Sequence, residues 1–386
     1  MNDAPASSPA RRIGLLIDSL IGGGAERIVL NFATKLTALG HDVHIILVKN
    51  AIEHDVSQFG FRIHTLSDDG RLSRWRPVNK ALLARRLRAA VQAIEADGKR
   101  FDFFISNAED SDRLSRMAGL PNVYIRYRNS LVTYLENKMG SKTGLKRAIR
   151  RQRWLRKFRR IYGGRHIVTV SEALRHELVD VIGIRPASIT TIYNPFNFDQ
   201  LRALAAEPAP VPDEPYIVYA AKFENRKRQD VLIRAFAQAD VPHKLVLIGG
   251  VYTDSDRRWL AAMERLIDEL GVRDRVLLPG FQTNPYPWVK RAALFAMSSD
   301  SEGLPLVLVE ALVLGTRVVS TDCPTGPSEV LVGELAPFLS PVGDAAALAR
   351  NIERAVRAYP PIPPGLLERF DANYSVQRWL EHCIRP

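Results

Sequence analysis

Cysteine is nearly missing from this chain, with only Cys323 and Cys383 among 386 residues. Two thiols cannot build a disulfide framework or a cysteine-based zinc site, and their scarcity suits a reducing compartment. Long apolar runs are missing too. Stretches such as 304–309 fall far short of the roughly 20 residues that a membrane-spanning helix needs. The small, polar stretch 1–10 and the brief apolar run after Arg11 and Arg12 do not make a signal peptide, so a cytoplasmic protein is expected. The eight histidines show neither H-x-x-x-H nor H-E-x-x-H spacing, which argues against zinc. No G-x-S-x-G elbow is present, which argues against a serine hydrolase of that type. No repeat of 20–50 residues is visible. Two D-x-D spellings, Asp110-Ser111-Asp112 and Asp254-Ser255-Asp256, are short enough to arise by chance and are read as solvated loops. No metal is expected.

What the chain does have is material for a core. Apolar residues make up 46% and charged residues 25%, the balance of a folded globular protein of about two domains. The charge is uneven. Residues 1–199 hold 33 Lys and Arg against 19 Asp and Glu, whereas residues 200–386 hold 21 against 23. One half therefore faces an anionic partner: nucleic acid, a membrane surface or a phosphorylated substrate. The excess peaks at 138–165, which has 12 Lys and Arg and no acid. On a helical wheel Leu145, Ala148, Ile149, Leu155 and Tyr162 form one stripe, and Trp154, Phe158 and Ile161 lie on another side. The first stripe is expected to face the protein and the second a membrane interface or an acidic ligand.

Short apolar runs alternate with helical patterns along both halves. In the first half strands are expected at 13–17, 43–48, 101–106, 123–127 and 166–170. In the second half they are expected at 216–220, 244–248, 276–278, 294–297 and 317–320. Helices are expected at 229–239, 257–270, 306–314, 345–357 and near 376–384. Four prolines in the eleven residues 205–215 mark a semi-rigid linker. The division that follows is 11–200, a linker at 201–215, 216–368, and a terminal helix at 369–386 returning to the first domain. Strand–helix alternation implies parallel sheets covered on both faces, and ligands of such sheets sit at the carboxyl ends of the strands. The fold class is α/β, two Rossmann-like domains facing across a cleft.

Three turns after strands could carry chemistry. The run 298–310 leads from a strand into a helix, with Glu302 before the helix and Glu310 inside it. Pro305 suits a first helical turn, and the amides of Gly303, Leu304 and Leu306 would point out of the helix start toward a phosphate. Glu310 sits among Val307, Leu308, Val309, Ala311 and Leu312, where a charge needs a partner. The second turn, 221–229, puts Lys222, Arg226, Lys227 and Arg228 at a strand end, either as a phosphate clamp or as a solvated basic loop. The third is Gly22-Gly23-Gly24-Ala25-Glu26-Arg27, which spells neither G-x-G-x-x-G nor a P-loop. It is either a ligand approach to the backbone or only a tight turn.

With these residues in view the chain resembles the family GT4 retaining glycosyltransferases, whose fold is GT-B. The resemblance covers nearly the whole length. Its marker is Glu302, seven residues, then Glu310, with Gly303-Leu304-Pro305 between. Gly22-Gly23-Gly24-Ala25-Glu26 is similar to the family's acceptor-side loop, and 221–227 to its G-R-L/F-x-x-x-K element. Tyr193-Asn194-Pro195 is similar to its exit from the first domain, and 322–329 to a stretch of members that build surface polysaccharides. Two departures stand out. Ala221-Lys222 replaces the usual Gly-Arg, and Arg126-Tyr127-Arg128-Asn129 stands where many members have a histidine.

The resemblance implies a nucleotide-sugar donor of the UDP-sugar kind, and a glycan or lipid-linked acceptor in polysaccharide or lipopolysaccharide synthesis. Lys222 and Lys227 would neutralise the diphosphate, and Glu310 would bind the ribose. Glu302, Gly303 and Leu304 would hold the transferred sugar. Gly23, Gly24, Arg128 and Asn129 would meet the acceptor. The enzyme would need no cofactor and no metal, bind no nucleic acid, and dock peripherally on the cytoplasmic face of the inner membrane. Two rivals stand beside this reading: a UDP-sugar epimerase of the same fold, and a basic nucleic-acid binder without enzymatic activity.

Overall fold

The computed structural model describes residues 9–21, 23–53, 60–140 and 143–384. The polar stretch up to residue 8, Gly22 of the glycine-rich turn and Lys142 of the basic segment lie outside them. In chain order the first half holds β1 (Arg12–Ile17), α1 (Gly24–Ala38), β2 (Asp42–Leu47), β3 (Arg62–Thr65), α2 (Arg76–Ile94), β4 (Phe103–Ser106), α3 (Glu109–Ala118), β5 (Val123–Tyr127), α4 (Leu131–Met139), α5 (Gly144–Tyr162), β6 (His166–Thr169), α6 (Glu172–His176), β7 (Ser188–Thr191) and α7 (Phe198–Ala205). The second half holds β8 (Tyr216–Ala220), α8 (Gln229–Gln238), β9 (Lys244–Ile248), α9 (Asp254–Glu269), β10 (Val276–Gly280), α10 (Tyr286–Arg291), β11 (Leu294–Met297), α11 (Leu306–Val313), β12 (Val318–Thr321), α12 (Pro327–Val330), β13 (Leu339–Ser340), α13 (Ala345–Arg357) and α14 (Ala372–Cys383).

The strands form two sheets, ordered β3-β2-β1-β4-β5-β6-β7 and β10-β9-β8-β11-β12-β13. Neighbouring strands run parallel, as in β1 with β2 and β4, and in β8 with β9 and β11. Helices cover both faces, so the central strands are buried end to end and read as continuous apolar runs. The strands that the sequence pattern does not reveal are β3, β7 and β13. The first two are only half-buried and the third is two residues long, so none needs a long apolar run. In each sheet the order reverses beside the first strand, between β1 and β4 and between β8 and β11. These switch points leave crevices at the carboxyl ends.

The proline-rich stretch 206–215 forms neither helix nor strand, while 201–205 complete α7. The chain crosses back near its end. Phe196 bridges to Asp371, and α14 lays Trp379 against Phe32 of α1, with ring centroids 5.7 Å apart. A second tie joins the halves through Glu329 at the start of α12. Its carboxylate accepts the backbone N–H groups of Glu172 and Ala173, both at 2.8 Å, and the Tyr193 hydroxyl at 2.8 Å. It thereby supplies the first turn of α6 with acceptors that a helix start lacks.

Helix α5 packs differently from the wheel expectation. Leu155, Phe158 and Tyr162 are its buried residues. Trp154 and Phe158 close on Tyr134 of α4, at 5.3 and 5.8 Å, so they face the protein and not a membrane. Leu145 and Ile149 point outward instead, 75% and 48% exposed. The reason is helical phase: α4 packs where Trp154 and Phe158 lie, which turns Leu145 and Ile149 to the open side. Among the described residues no helix is long and apolar enough to cross a membrane.

Trp379 is 1% exposed, so its loss leaves a large void between α14 and α1. Trp379→Ala should destabilise the protein by about 3–5 kcal/mol, the usual cost of truncating a buried aromatic. Urea unfolding of the full chain followed by circular dichroism checks this. An unchanged midpoint would mean that the terminal helix carries no stability.

Candidate functional site

Strand β8 lies beside β11, so the turns that leave them meet at the carboxyl edge of the second sheet. One turn brings Lys227, the other Glu302. Lys227 Nζ lies 2.6 Å from Glu302 Oε1, and Arg226 Nη1 lies 3.4 Å from Oε2. Arg226 also donates to the Ser301 carbonyl at 2.7 Å, and Ser298 Oγ donates to the Lys227 carbonyl at 3.0 Å. Burial alone would push the Glu302 carboxyl up. The two cations outweigh it and hold the group below its ordinary value, so it is ionised at neutral pH.

Directly after Glu302 the backbone turns into α11. Pro305 stands at its N-cap without a side-chain cap. The amides of Gly303, Leu304 and Leu306 have no hydrogen-bond partner among the described residues. They form an open set of donors at a helix start, where the dipole favours an anion. Gly303 is required here: a Cβ would lie 1.9 Å from the Arg128 carbonyl oxygen. Gly326 is required behind it, with φ +98° and a Cβ position 2.5 Å from Pro305 Cδ.

Glu310 faces the same cleft from within α11 and is buried. Tyr286 Oη donates to its Oε1 at 3.1 Å, and Arg27 Nη1 lies 3.7 Å from the same oxygen. Arg27 comes from α1 of the first half and also hydrogen-bonds the Tyr286 hydroxyl, so this carboxylate has partners from both halves.

The first half supplies the opposite wall. Arg126 is buried, donates to Asn194 Oδ1, and reaches Asn107 Oδ1 at 3.4 Å. Burial, with Arg128 beside it, lowers its guanidinium to about 9. Arg128 donates from Nε to the Asn107 carbonyl at 3.1 Å, and Asn129 is exposed to the cleft. Ser130 caps α4, while the buried Glu177 accepts the Leu131 and Val132 amides at 2.6 and 3.2 Å, which pins the turn that follows β5. The cleft between the walls measures about 560 Å³.

The structure therefore brings Lys227, Glu302, Gly303, Leu304, Glu310, Gly24, Arg128 and Asn129 to one cavity. It does not bring Lys222 there. Lys222 Nζ turns to Asp256 at 3.0 Å and Glu224 at 3.7 Å, and Arg226 takes the second cationic place beside Glu302. Gly23 is the extended residue before α1 and lies outside the lining, whereas Gly24 sits against Leu306. The D-x-D pairs are not solvated loops. Each opens a helix, and in each the second aspartate is buried. Asp256 caps α9 by accepting the Tyr252 and Thr253 amides. Among the described residues no group of three or more His, Cys, Asp or Glu is placed to hold a metal ion. Arg27, Arg126 and Tyr286 were not among the expected site residues. Tyr286 in particular lies 24 residues from Glu310 and carries no local pattern.

Residues 22–200 match the family described as Glycosyltransferase Family 4, and residues 202–371 match Glycosyl transferases group 1. The first half belongs to the family 4 glycosyltransferases and the second to the group 1 glycosyl transferases. Among curated relatives of this glycosyltransferase chain, one is N-acetylgalactosamine-N,N'-diacetylbacillosaminyl-diphospho-undecaprenol 4-alpha-N-acetylgalactosaminyltransferase of Campylobacter jejuni. It is 32% identical over 165 residues, 42% of this chain and 43% of that protein. Lipopolysaccharide 1,6-galactosyltransferase of Escherichia coli is 26% identical over 54% of this chain and 58% of its own. Across such relatives the chain spans between 36% and 58% of their length. The fold is GT-B. Anabaena HepE, solved with UDP and glucose, superposes with a TM-score of 0.74 at 19% identity, covering 96% of this chain and 99% of that one. WaaG, a glycosyltransferase involved in lipopolysaccharide biosynthesis, gives 0.66 at 14% identity over 97% and 100%.

Asp112, in the first turn of α3, gives a pH test of the first half. Burial pushes its carboxyl up to about 7, and Ser106 Oγ donates to it at 2.6 Å. The folded state thus holds this proton more tightly than the unfolded chain. Its stabilising contribution is full below the ordinary value and is lost as pH rises through about 7. Asp112→Asn cannot ionise, so its stability relative to wild type should rise between about pH 4 and 7. Urea titrations across that range measure the difference, and a flat difference would contradict a buried, protonated Asp112.

Proposed function

We propose that this chain transfers a sugar from a nucleoside-diphosphate sugar, of the UDP type, to a glycan or lipid-linked saccharide, with retention of anomeric configuration. The observation that carries the reading is the buried Glu302 carboxylate paired with Lys227 and Arg226, directly before the open amides of α11. An anionic diphosphate fits those cations and amides. When it enters, Lys227 and Arg226 exchange the Glu302 carboxylate for phosphate oxygens, and Glu302 is released to accept hydrogen bonds from sugar hydroxyls. Glu310, oriented by Tyr286 and Arg27, accepts from the ribose hydroxyls.

The bond from the anomeric carbon to the diphosphate breaks as the bond to the acceptor oxygen forms, and the acceptor hydroxyl's proton passes to the departing diphosphate oxygen. Negative charge grows on the departing diphosphate while positive charge grows on the ring. Lys227, Arg226 and the Gly303 and Leu304 amides stand where the negative charge grows, and preorganised donors of that kind lower the barrier without reorganisation. They do the work that a divalent cation does elsewhere, so the reading requires no metal or other cofactor. Arg128 and Asn129 meet the acceptor from the opposite wall. The named activities of the Campylobacter and Escherichia relatives support a role in cell-surface polysaccharide or lipopolysaccharide synthesis.

The acceptor side is proposed to work on the cytoplasmic face of an anionic membrane. This rests on the 33 to 19 excess of cations in residues 1–199 and on α5, whose exposed face carries Leu145 and Ile149 among arginines. Each cation near such a surface adds about 1 kcal/mol, enough in sum for reversible attachment.

Isothermal titration with UDP separates the roles. Lys227→Ala should weaken UDP binding more than tenfold, as the loss of a charge-assisted hydrogen bond costs about 1.5–3 kcal/mol. Glu310→Gln should weaken UDP as well. Glu302→Gln should spare UDP and lower transfer, because its partner is the sugar. Unchanged UDP affinity in folded Lys227→Ala would remove the diphosphate assignment.

Co-sedimentation with vesicles tests the membrane part. Binding should occur on anionic vesicles, fall with salt, and weaken when Arg150, Arg151 and Arg153 are changed to Ser. Equal binding to neutral vesicles, or none to either, would leave α5 as a solvated surface.

A further inference from the structure

A second cavity, of about 1050 Å³, opens in the first half at the carboxyl ends of β1 and β2, where the chain enters α2. Five cations line it: Lys49, Arg71, Arg74, Arg76 and Lys80. Lys80 pairs with Asp110 at 3.3 Å, but the other four have no carboxylate partner among the described residues. The carboxylates that share the lining are already engaged. Asp18 accepts the Ser111 amide at 3.0 Å, Asp69 accepts the Arg71 amide at 2.8 Å, and Asp110 holds Lys80. Five cations and three carboxylates thus face one hollow, which leaves an excess of positive charge that an entering anion relieves.

The hollow is also well placed. Asp18 on its wall lies within electrostatic reach of Arg128 in the cleft. Lys80 lies within reach of Lys157 on α5. The cavity's wall thus comes near residues of both the cleft and the basic helix. Its volume exceeds that of a diphosphate and leaves room for adjoining sugar, within the range of ordinary ligand sites.

We infer that this hollow is an anion subsite that takes a phosphate or diphosphate group carried by the acceptor. The inference rests on the glycosyltransferase reading of the neighbouring cleft and adds the chemical class of the acceptor. Arg71, Arg74 and Arg76 supply planar guanidinium groups that match phosphate oxygens two at a time, and Lys49 adds a point charge. The anion anchors the acceptor at a distance from the reacting hydroxyl, so its binding energy positions the sugar without touching the chemistry.

The test is isothermal titration of the full chain with inorganic pyrophosphate, after the donor cleft has been filled with UDP. Arg71→Gln/Arg74→Gln/Arg76→Gln is compared with wild type. All three arginines are exposed, so the melting temperature should not change. Pyrophosphate affinity should fall by roughly tenfold or more in the triple variant, while UDP affinity stays within about twofold. Equal pyrophosphate affinity in the two proteins overturns the subsite. If UDP fails to bind wild type, the donor reading fails by itself. The hollow is then judged without UDP, by whether pyrophosphate weakens in the triple variant more than in Lys227→Ala. Phosphatidylglycerol vesicles give the last arm. A triple variant that loses vesicle binding but keeps pyrophosphate affinity would assign these arginines to a lipid surface and overturn the proposal.

Discussion

At Gly303 the turn after β11 meets the carbonyl of Arg128 at the end of β5 so closely that a side chain there would lie 1.9 Å from the oxygen. Two sheets share one cleft, one core cluster runs from the β5–β6 side of the first sheet into the second, and the cleft has a shape only while the sheets are held in register. The approach at Gly303 sets that register at the point where α11 begins. Ser301 Oγ reaches Thr133 Oγ1 at 3.1 Å beside it, Glu329 ties α6 and Tyr193 from behind, and Trp379 straps the terminal helix to α1. Each tie is local, but together they decide how far Glu302 and Glu310 lie from the arginines across the cleft.

The electrostatics follow from that enclosure. Ions taken from water need partners of opposite sign, and the cleft pairs Glu302 and Glu310 with cations from its own walls. Glu302 rests on Lys227 and Arg226, and Glu310 on Arg27 and Tyr286. A nucleoside diphosphate would then enter a site whose charges are already oriented, which limits the reorganisation that binding requires. The basic first half extends this logic outward. Its cations at the hollow beside α2 and along α5 outnumber the acids near them.

Helical phase shows where one-dimensional reading stops. The aromatic side of α5 has the composition of a membrane foothold, yet it is the side that α4 covers. Likewise the second aspartate of each D-x-D run is a buried helix-start residue, because the run begins a helix and its first turn folds inward. Lys222 has the charge and the chain position of a phosphate ligand. Its Nζ pairs with Asp256 from the turn after the neighbouring strand, and Arg226 is the second cation beside Glu302.

The sequence by itself determined the α/β class, the central strands, and the turn that carries Glu302, Gly303, Leu304 and Glu310. Those features rest on contiguous signals: apolar runs for strands buried on both faces, and a strand–turn–helix pattern within a dozen residues. Tertiary structure decided the rest. The edge strands β3 and β7 are half-buried and carry no run to read. The pairing of Arg27 with Glu310, the contact of Gly303 with Arg128, and the gathering of Lys49 with Arg71, Arg74 and Arg76 join residues far apart in the chain. Such contacts depend on sheet order and on how the two halves meet, and neither leaves a periodicity in the sequence, because each is a single long-range approach and not a repeated local preference.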